Sequence, residues 1–290
     1  MLQIENDNLR VSFRLLGAEM VSVYDKAKQV EHLWQADKNI WGWHAPVLFP
    51  IVGRAFNDVI RFDGINYSIE KHGFARKSDF KVSEQNNNSI TFSLSSNEAT
   101  LAQFPFRFEF QINYSLDENK LATQYQVKNC SESAMQFNIG GHPAFNVPFN
   151  DSELYEDYYI EFPNDKHLKR HFINESGFFN GEQLEILDGQ SKLHLNSKLF
   201  KDDALIFKAL NSKTIFLKSK NHNSYLSFEF EDFNYLGLWA KTDAKYVCIE
   251  PWIGCADNDN FNGEFIDKES VITLQPTKTV SRSFTLGIHQ

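Results

Sequence analysis

Residues 106–116 read Phe-Arg-Phe-Glu-Phe-Gln-Ile-Asn-Tyr-Ser-Leu, with every even position apolar and every odd position polar. A period of two marks a half-buried strand, because successive side chains of an extended chain point to opposite faces. The turn Asp117-Glu118-Asn119-Lys120 follows, and residues 121–127 then alternate in the opposite parity, which predicts an antiparallel hairpin. A second hairpin is predicted where Asp63-Gly64 separates residues 59–62 from 65–69, since Asp-Gly suits a type I′ turn. Further strands are expected at 10–15, 19–24, 89–94, 214–217, 225–230 and 246–250, the last with Glu250 at its end and Pro251 stopping it. Helical periodicity is scarce: residues 99–104 can form one turn or two before Pro105.

Many short strands separated by turn signals predict an all-β fold, a large antiparallel β-sandwich. The chain supports this with 27 Phe, 10 Tyr and 5 Trp, residue types that fit a pleated, half-buried surface. There is no internal repeat, low-complexity linker or Pro/Gly-rich hinge in the 290 residues, and Asn86-Asn87-Asn88 reads as a turn. One domain over residues 1–290 is the simplest account, since all-β sandwiches run to roughly 250 residues as single units.

The net charge of -9 argues against nucleic acid as a partner, because phosphate neutralisation needs clustered Lys and Arg. No apolar run approaches the roughly 18 residues of a membrane-spanning helix. The first residues, Met1-Leu2-Gln3-Ile4-Glu5-Asn6-Asp7, show no basic segment followed by an apolar one, and the three cysteines, Cys130, Cys248 and Cys255, form no CxxC pair. Reduced thiols and a cytoplasmic location are the expectation.

Two segments stand out chemically. Gly140-Gly141-His142-Pro143 brackets a histidine with turn-forming residues, and Cys248-Ile249-Glu250-Pro251-Trp252 sets a carboxylate in an apolar run. A histidine titrates near neutrality, and a desolvated carboxylate becomes a stronger base, so the two suit acid/base chemistry. Read separately, His142 is equally a turn cap and Glu250 an edge-strand glutamate. Phe49-Pro50-Ile51-Val52-Gly53-Arg54 and Lys71-His72-Gly73-Phe74-Ala75-Arg76 each put a cation after an apolar or glycine turn. Arg54 and Arg76 can fork hydrogen bonds to hydroxyls, carboxylates or phosphates, or can be plain surface residues, with His72 a turn histidine. Trp239 and Trp252 are candidate sugar platforms or core residues, and Asp203 begins an apolar run as a ligand or a cap; Trp41 and Trp43 read as core or pocket rim. His167 and His171 lie four apart, but with no HExxH glutamate and no nearby carboxylate constellation they read as a solvated basic face, and no metal site is expected. P-loop, GxGxxG and GxSxG signatures are missing, and Cys248 has no neighbouring cation to activate its thiol.

Taken together, Phe49–Arg54, His72–Arg76, Gly141–Phe145 and Ile249–Trp252 resemble, in order and wide spacing, the motifs of the aldose 1-epimerase (galactose mutarotase) family, in its LacX-like branch. The resemblance implies the supersandwich fold of that family and a cofactor-independent isomerase that interconverts the anomers of a hexose. It implies His142 as general acid on the ring oxygen and Glu250 as general base on the anomeric hydroxyl. It further implies sugar contacts from Arg54, His72 and Asp203, with Asp202 as the alternative to Asp203. Arg76 recurs in branches acting on phosphorylated sugars, so a hexose 6-phosphate is the rival substrate. A non-catalytic carbohydrate-binding protein on the same fold is the rival class.

Overall fold

The alternation of side chains becomes an alternation of burial in the structure, a computed structural model that describes residues 2–290. Strand Phe108–Asp117 buries its even residues and its partner Lys120–Asn129 its odd ones, with Asp117 paired to Lys120 across the turn. Strands Val59–Phe62 and Ile65–Ser68 form the second hairpin. Asp63 and Gly64 both sit at positive φ, 50° and 76°, as a type I′ turn requires. The other expected strands appear with shifts of a few residues at their ends, and the expected helix is the single turn Glu98–Leu101, capped by the Asn97 side chain.

Two large antiparallel sheets dominate. The nine-stranded sheet runs in the order Lys192–His194, Tyr158–Glu161, Thr214–Ser219, Tyr225–Glu229, Thr279–His289, Lys120–Asn129, Phe108–Asp117, Ser89–Ser95, Lys81–Gln85. The eight-stranded sheet runs Phe179–Asp188, His167–Ile173, Leu205–Lys208, Tyr235–Trp239, Tyr246–Ile253, Ile139–Gly141, Val47–Leu48, and Ala144–Asn146 also pairs with Tyr246–Ile253. A four-stranded sheet, Leu2–Glu5 to Val30–Glu31, completes the N-terminal part. The sheets share a large apolar core, in which Phe145 of the smaller sheet meets Phe228 of the larger at 6.1 Å between ring centres, and a smaller separate cluster gathers around Leu48, Tyr235 and Trp252. This is the β-sandwich expected from the strand pattern.

One strand end differs from expectation, and it matters for the site. Tyr246–Ile253 continues through Pro251, and all eight residues are buried, so Glu250 lies inside a strand and not at its end. The Ile249 N–H donates to the Pro143 carbonyl at 3.0 Å. Two residues further on, Pro251, which carries no N–H, faces the same edge opposite Gly141, the last strand residue before the partner strand is interrupted between Gly141 and Ala144.

Candidate active site

In an extended strand, Tyr246, Cys248, Glu250 and Trp252 share one face. The neighbouring chain pairs Gly140 with Trp252 and Ala144 with Cys248. The two pairings keep one register across the interruption, which sets His142 opposite Glu250. His142 Nε2 lies 3.1 Å from Glu250 Oε2, and both residues are buried. The glycines before His142 do not act as a turn, contrary to the sequence reading: Gly140 and Gly141 are strand residues. Their smallness serves packing. A Cβ on Gly140 would come within 2.7 Å of Trp252 Cδ1, and one on Gly237, from the strand on the other side, within 2.7 Å of Trp252 Cζ2. The Trp252 indole thus lies across two glycines of the flanking strands.

The second wall comes from the loops at 49–54 and 71–76, far apart in sequence and joined here. Phe49 bridges Gly73, His72 N–H donates to the Gly53 carbonyl at 2.8 Å, and Gly53 N–H donates to His72 Nδ1 at 3.1 Å. Gly73, at φ +71°, is required: a Cβ there would lie 2.3 Å from the Phe49 carbonyl oxygen. Because Nδ1 of His72 accepts, the neutral ring carries its proton on Nε2. Burial, then Lys71, His142 and Arg76, hold His72 well below its ordinary pKa.

These walls enclose a cavity of about 250 Å³. Of the residues singled out in the sequence, His142, Glu250, His72, Arg76, Asp203, Trp239 and Trp252 line it. Arg54 does not: its guanidinium is engaged by Asp58, with Nε 2.7 Å from Oδ1 and Nη2 2.8 Å from Oδ2. Asp203 lines the cavity and Asp202 does not; Asp203 Oδ1 also accepts the Ala204 N–H at 2.8 Å, as a capping carboxylate does. The Arg76 guanidinium stacks on Trp43 at 5.5 Å and donates to the Lys71 carbonyl at 2.7 Å. Trp41 and Trp43, read from the sequence as core or pocket rim, line the cavity too, as does Lys71, for which the sequence reading gave no role. The Trp41-Gly42-Trp43 spacing in a polar stretch was the available signal, but nothing in it shows which ring reaches a cleft.

Burial dictates the charge of the central pair. Desolvation pushes the His142 imidazolium down to about 3, the cations Lys71 and Arg76 add to the fall, and only the histidine's own carbonyl opposes it. Desolvation likewise pushes the Glu250 carboxyl well above the usual carboxylate range, reinforced by Asp203 and opposed by Lys71 and the Trp252 indole. Both shifts resist charge on the pair, so between the two titrations it carries one proton across a 3.1 Å contact. Cys248 Sγ falls within 4.8 Å of the same two groups, but burial, with Glu250, raises its thiol pKa and opposes the thiolate a metal needs. His167 is a correction of another kind. Its strand pairs with Phe179–Asp188, which brings Glu185 and Asp188 to 3.0 and 3.4 Å from Nδ1, carboxylates that the linear spacing hid.

The family model described as Aldose 1-epimerase matches residues 1–273. Protein LacX of Lactococcus lactis subsp. lactis, in its plasmid and its chromosomal versions, is 34% identical over 300 aligned positions that cover 99% of each chain. The solved structure of a galactose mutarotase related enzyme from Lactobacillus acidophilus superposes with a TM-score of 0.94 at 36% identity, over 100% of this chain and 97% of that one. A galactose mutarotase-like protein from Lactobacillus casei ATCC 334 gives a TM-score of 0.92 at 30% identity, with 100% of both chains covered.

Proposed function

Given that the chain belongs to the aldose 1-epimerase family, we propose that it is a mutarotase that interconverts the α and β anomers of a hexose. The observation that carries this reading is the 3.1 Å contact between His142 Nε2 and Glu250 Oε2 on the floor of an aromatic-walled cavity. Ring opening needs one proton removed from the anomeric hydroxyl and one delivered to the ring oxygen. Burial favours the pair's proton on Glu250; its transfer across the 3.1 Å contact to His142 leaves Glu250 as the carboxylate that takes the hydroxyl proton, and the imidazolium gives its proton to the ring oxygen. The bond from the anomeric carbon to the ring oxygen breaks, and an open-chain aldehyde forms. Rotation about the adjacent carbon–carbon bond presents the other face, and closure reverses both transfers. The pair holds one proton before and after. Assistance of this kind is worth ~10²–10⁴-fold per group.

The cavity suits such a substrate. Trp239 and Trp252 offer apolar faces for C–H groups, and His72 and Asp203 offer a donor and an acceptor for hydroxyls. Polarimetry of freshly dissolved α-D-glucose and α-D-galactose, in a buffer free of phosphate, tests the reading. We expect a faster approach to the equilibrium rotation, and no acceleration by the protein with either would count against a free hexose.

A second reading is a hexose phosphate. Lys71 and Arg76 both line the cavity, and neither forms an ion pair among the described residues, so a compact cationic patch faces the substrate space of an otherwise acidic protein. The Lys71–Arg76 pair replaces the Arg54–Arg76 pair suggested by the motifs, since Arg54 is bound to Asp58. Acceleration with glucose 6-phosphate alone, and competition by inorganic phosphate, would favour this version. Sugar binding with no acceleration for any of the three would leave a carbohydrate-binding protein.

A further inference from the structure

Histidines that move protons are commonly oriented by a hydrogen bond at the ring nitrogen not in use. His142 has none to another residue. Its Nε2 faces Glu250, and its buried Nδ1 has no hydrogen-bond partner outside the residue itself. Something else must fix the ring plane, and the structure provides aromatic surfaces. The Trp41 indole lies nearly parallel to the imidazole, at 5.0 Å between ring centres and 28° between planes. Trp239 and His72 meet the imidazole edge-on, at 6.0 Å and 81° and at 5.9 Å and 87°. Trp41 is itself held: its ring stacks on Tyr246 at 5.6 Å and 23°, its backbone N–H donates to the Asp37 carbonyl at 2.8 Å, and its carbonyl accepts the Trp34 indole N–H at 2.9 Å.

We propose that Trp41 is the positioning residue of His142, fixing the imidazole plane toward Glu250 and favouring its protonated form through the indole face. The inference rests on the acid/base reading of His142 given above. Its physical basis is that a π face attracts a cation lying over it, most strongly where water is excluded. The titratable groups facing His142 are Glu250 across the strand pair, Cys248 beside it, His72 at its edge, and Lys71, Arg76 and Asp203 around the cavity. Of these, the cations and burial both disfavour the imidazolium. The Trp41 face stacked on the imidazole is the uncharged surface that opposes them.

The test compares Trp41→Leu, which keeps apolar bulk without a π face, and Trp41→Phe, which keeps a smaller one. Two readouts are used: the steady-state rate against pH, and the His142 ring pKa from NMR of isotope-labelled histidine in the unliganded protein. For Trp41→Leu we expect kcat to fall ~10–100-fold with KM changed less than about threefold, by analogy with the loss of a partner that orients a reacting histidine. We expect the His142 pKa to drop by about one unit, the size of a desolvated cation–π contact. Trp41→Phe should fall between this variant and the native protein in both readouts. A raised KM with unchanged kcat and His142 pKa would make Trp41 a sugar platform and overturn the proposal. An unchanged pKa in both variants would overturn it as well. The NMR readout needs no turnover, so it decides the role of Trp41 even if the protein is not a mutarotase. If the Leu variant does not fold, the Phe variant alone carries the comparison.

Discussion

At the residue scale the proposed chemistry rests on two side chains whose pKa values are shifted by burial. Glu250→Gln keeps the shape and removes the base, so turnover should fall at least ~10²-fold while sugar binding by calorimetry stays within a few-fold. Turnover at the native rate would remove Glu250 from the mechanism. His142→Asn should lose rate by a similar factor. The pH profile discriminates more finely. With His142 lowered to about 3 and Glu250 raised, the pair holds its single proton across the whole interval between the two. The rate should therefore persist at pH 5, well below the ordinary histidine range, and decline on the alkaline side as the last proton leaves Glu250. An acid limb at 6.5 or above would contradict the burial argument. The sequence supplied the identities of these two residues, because motif neighbours mark them. It could not supply their 3.1 Å separation, which depends on strand register.

At the scale of elements, the site is a product of sheet pairing. Strand Tyr246–Ile253 lies between Tyr235–Trp239 and the interrupted strand around His142, and glycines on both sides make room for Trp252. Gly237→Ala would push a methyl group into the indole ring. We expect a loss of roughly 1–3 kcal/mol in denaturant unfolding, the usual cost of overpacking a core. Because Trp252 lines the cavity, substrate KM should rise in the same variant. Full stability with native KM would show that the indole can move aside freely. Sequence analysis assigned Gly140 to a turn because it saw only the neighbours along the chain. The tight contact comes from Trp252 across the ladder. The hairpins at Glu118-Asn119 and Asp63-Gly64, in contrast, were legible, because turn chemistry and period-two alternation are local properties.

At the scale of the whole molecule, ionisable groups are also buried outside the candidate site. His32 is 5% exposed, and neither of its ring nitrogens has a hydrogen-bond partner. Burial lowers its pKa to about 4, against a smaller opposing effect of Asp25. A folded-state pKa below the unfolded value of about 6.5 means that protonation favours unfolding. Stability from this group is intact above about 6.5 and is lost progressively as pH falls toward about 4. Between pH 7 and pH 5 the loss should be roughly 2 kcal/mol. His32→Leu, which leaves no buried polar atom unpaired, should flatten that slope in denaturant titrations; an unchanged slope would assign the acid sensitivity to other groups. By itself the sequence determined the all-β class, the main hairpins and the residue types of the site. Alternation, turn chemistry and motif composition are written in consecutive residues, and elementary sterics reads them directly. The tertiary structure alone decided that His142 meets Glu250, that Arg54 turns away to Asp58 while Lys71 faces the cavity, and that Trp41 covers the imidazole. Those facts depend on strand register and loop packing between segments distant in the chain, and a linear pattern carries no measure of such distances.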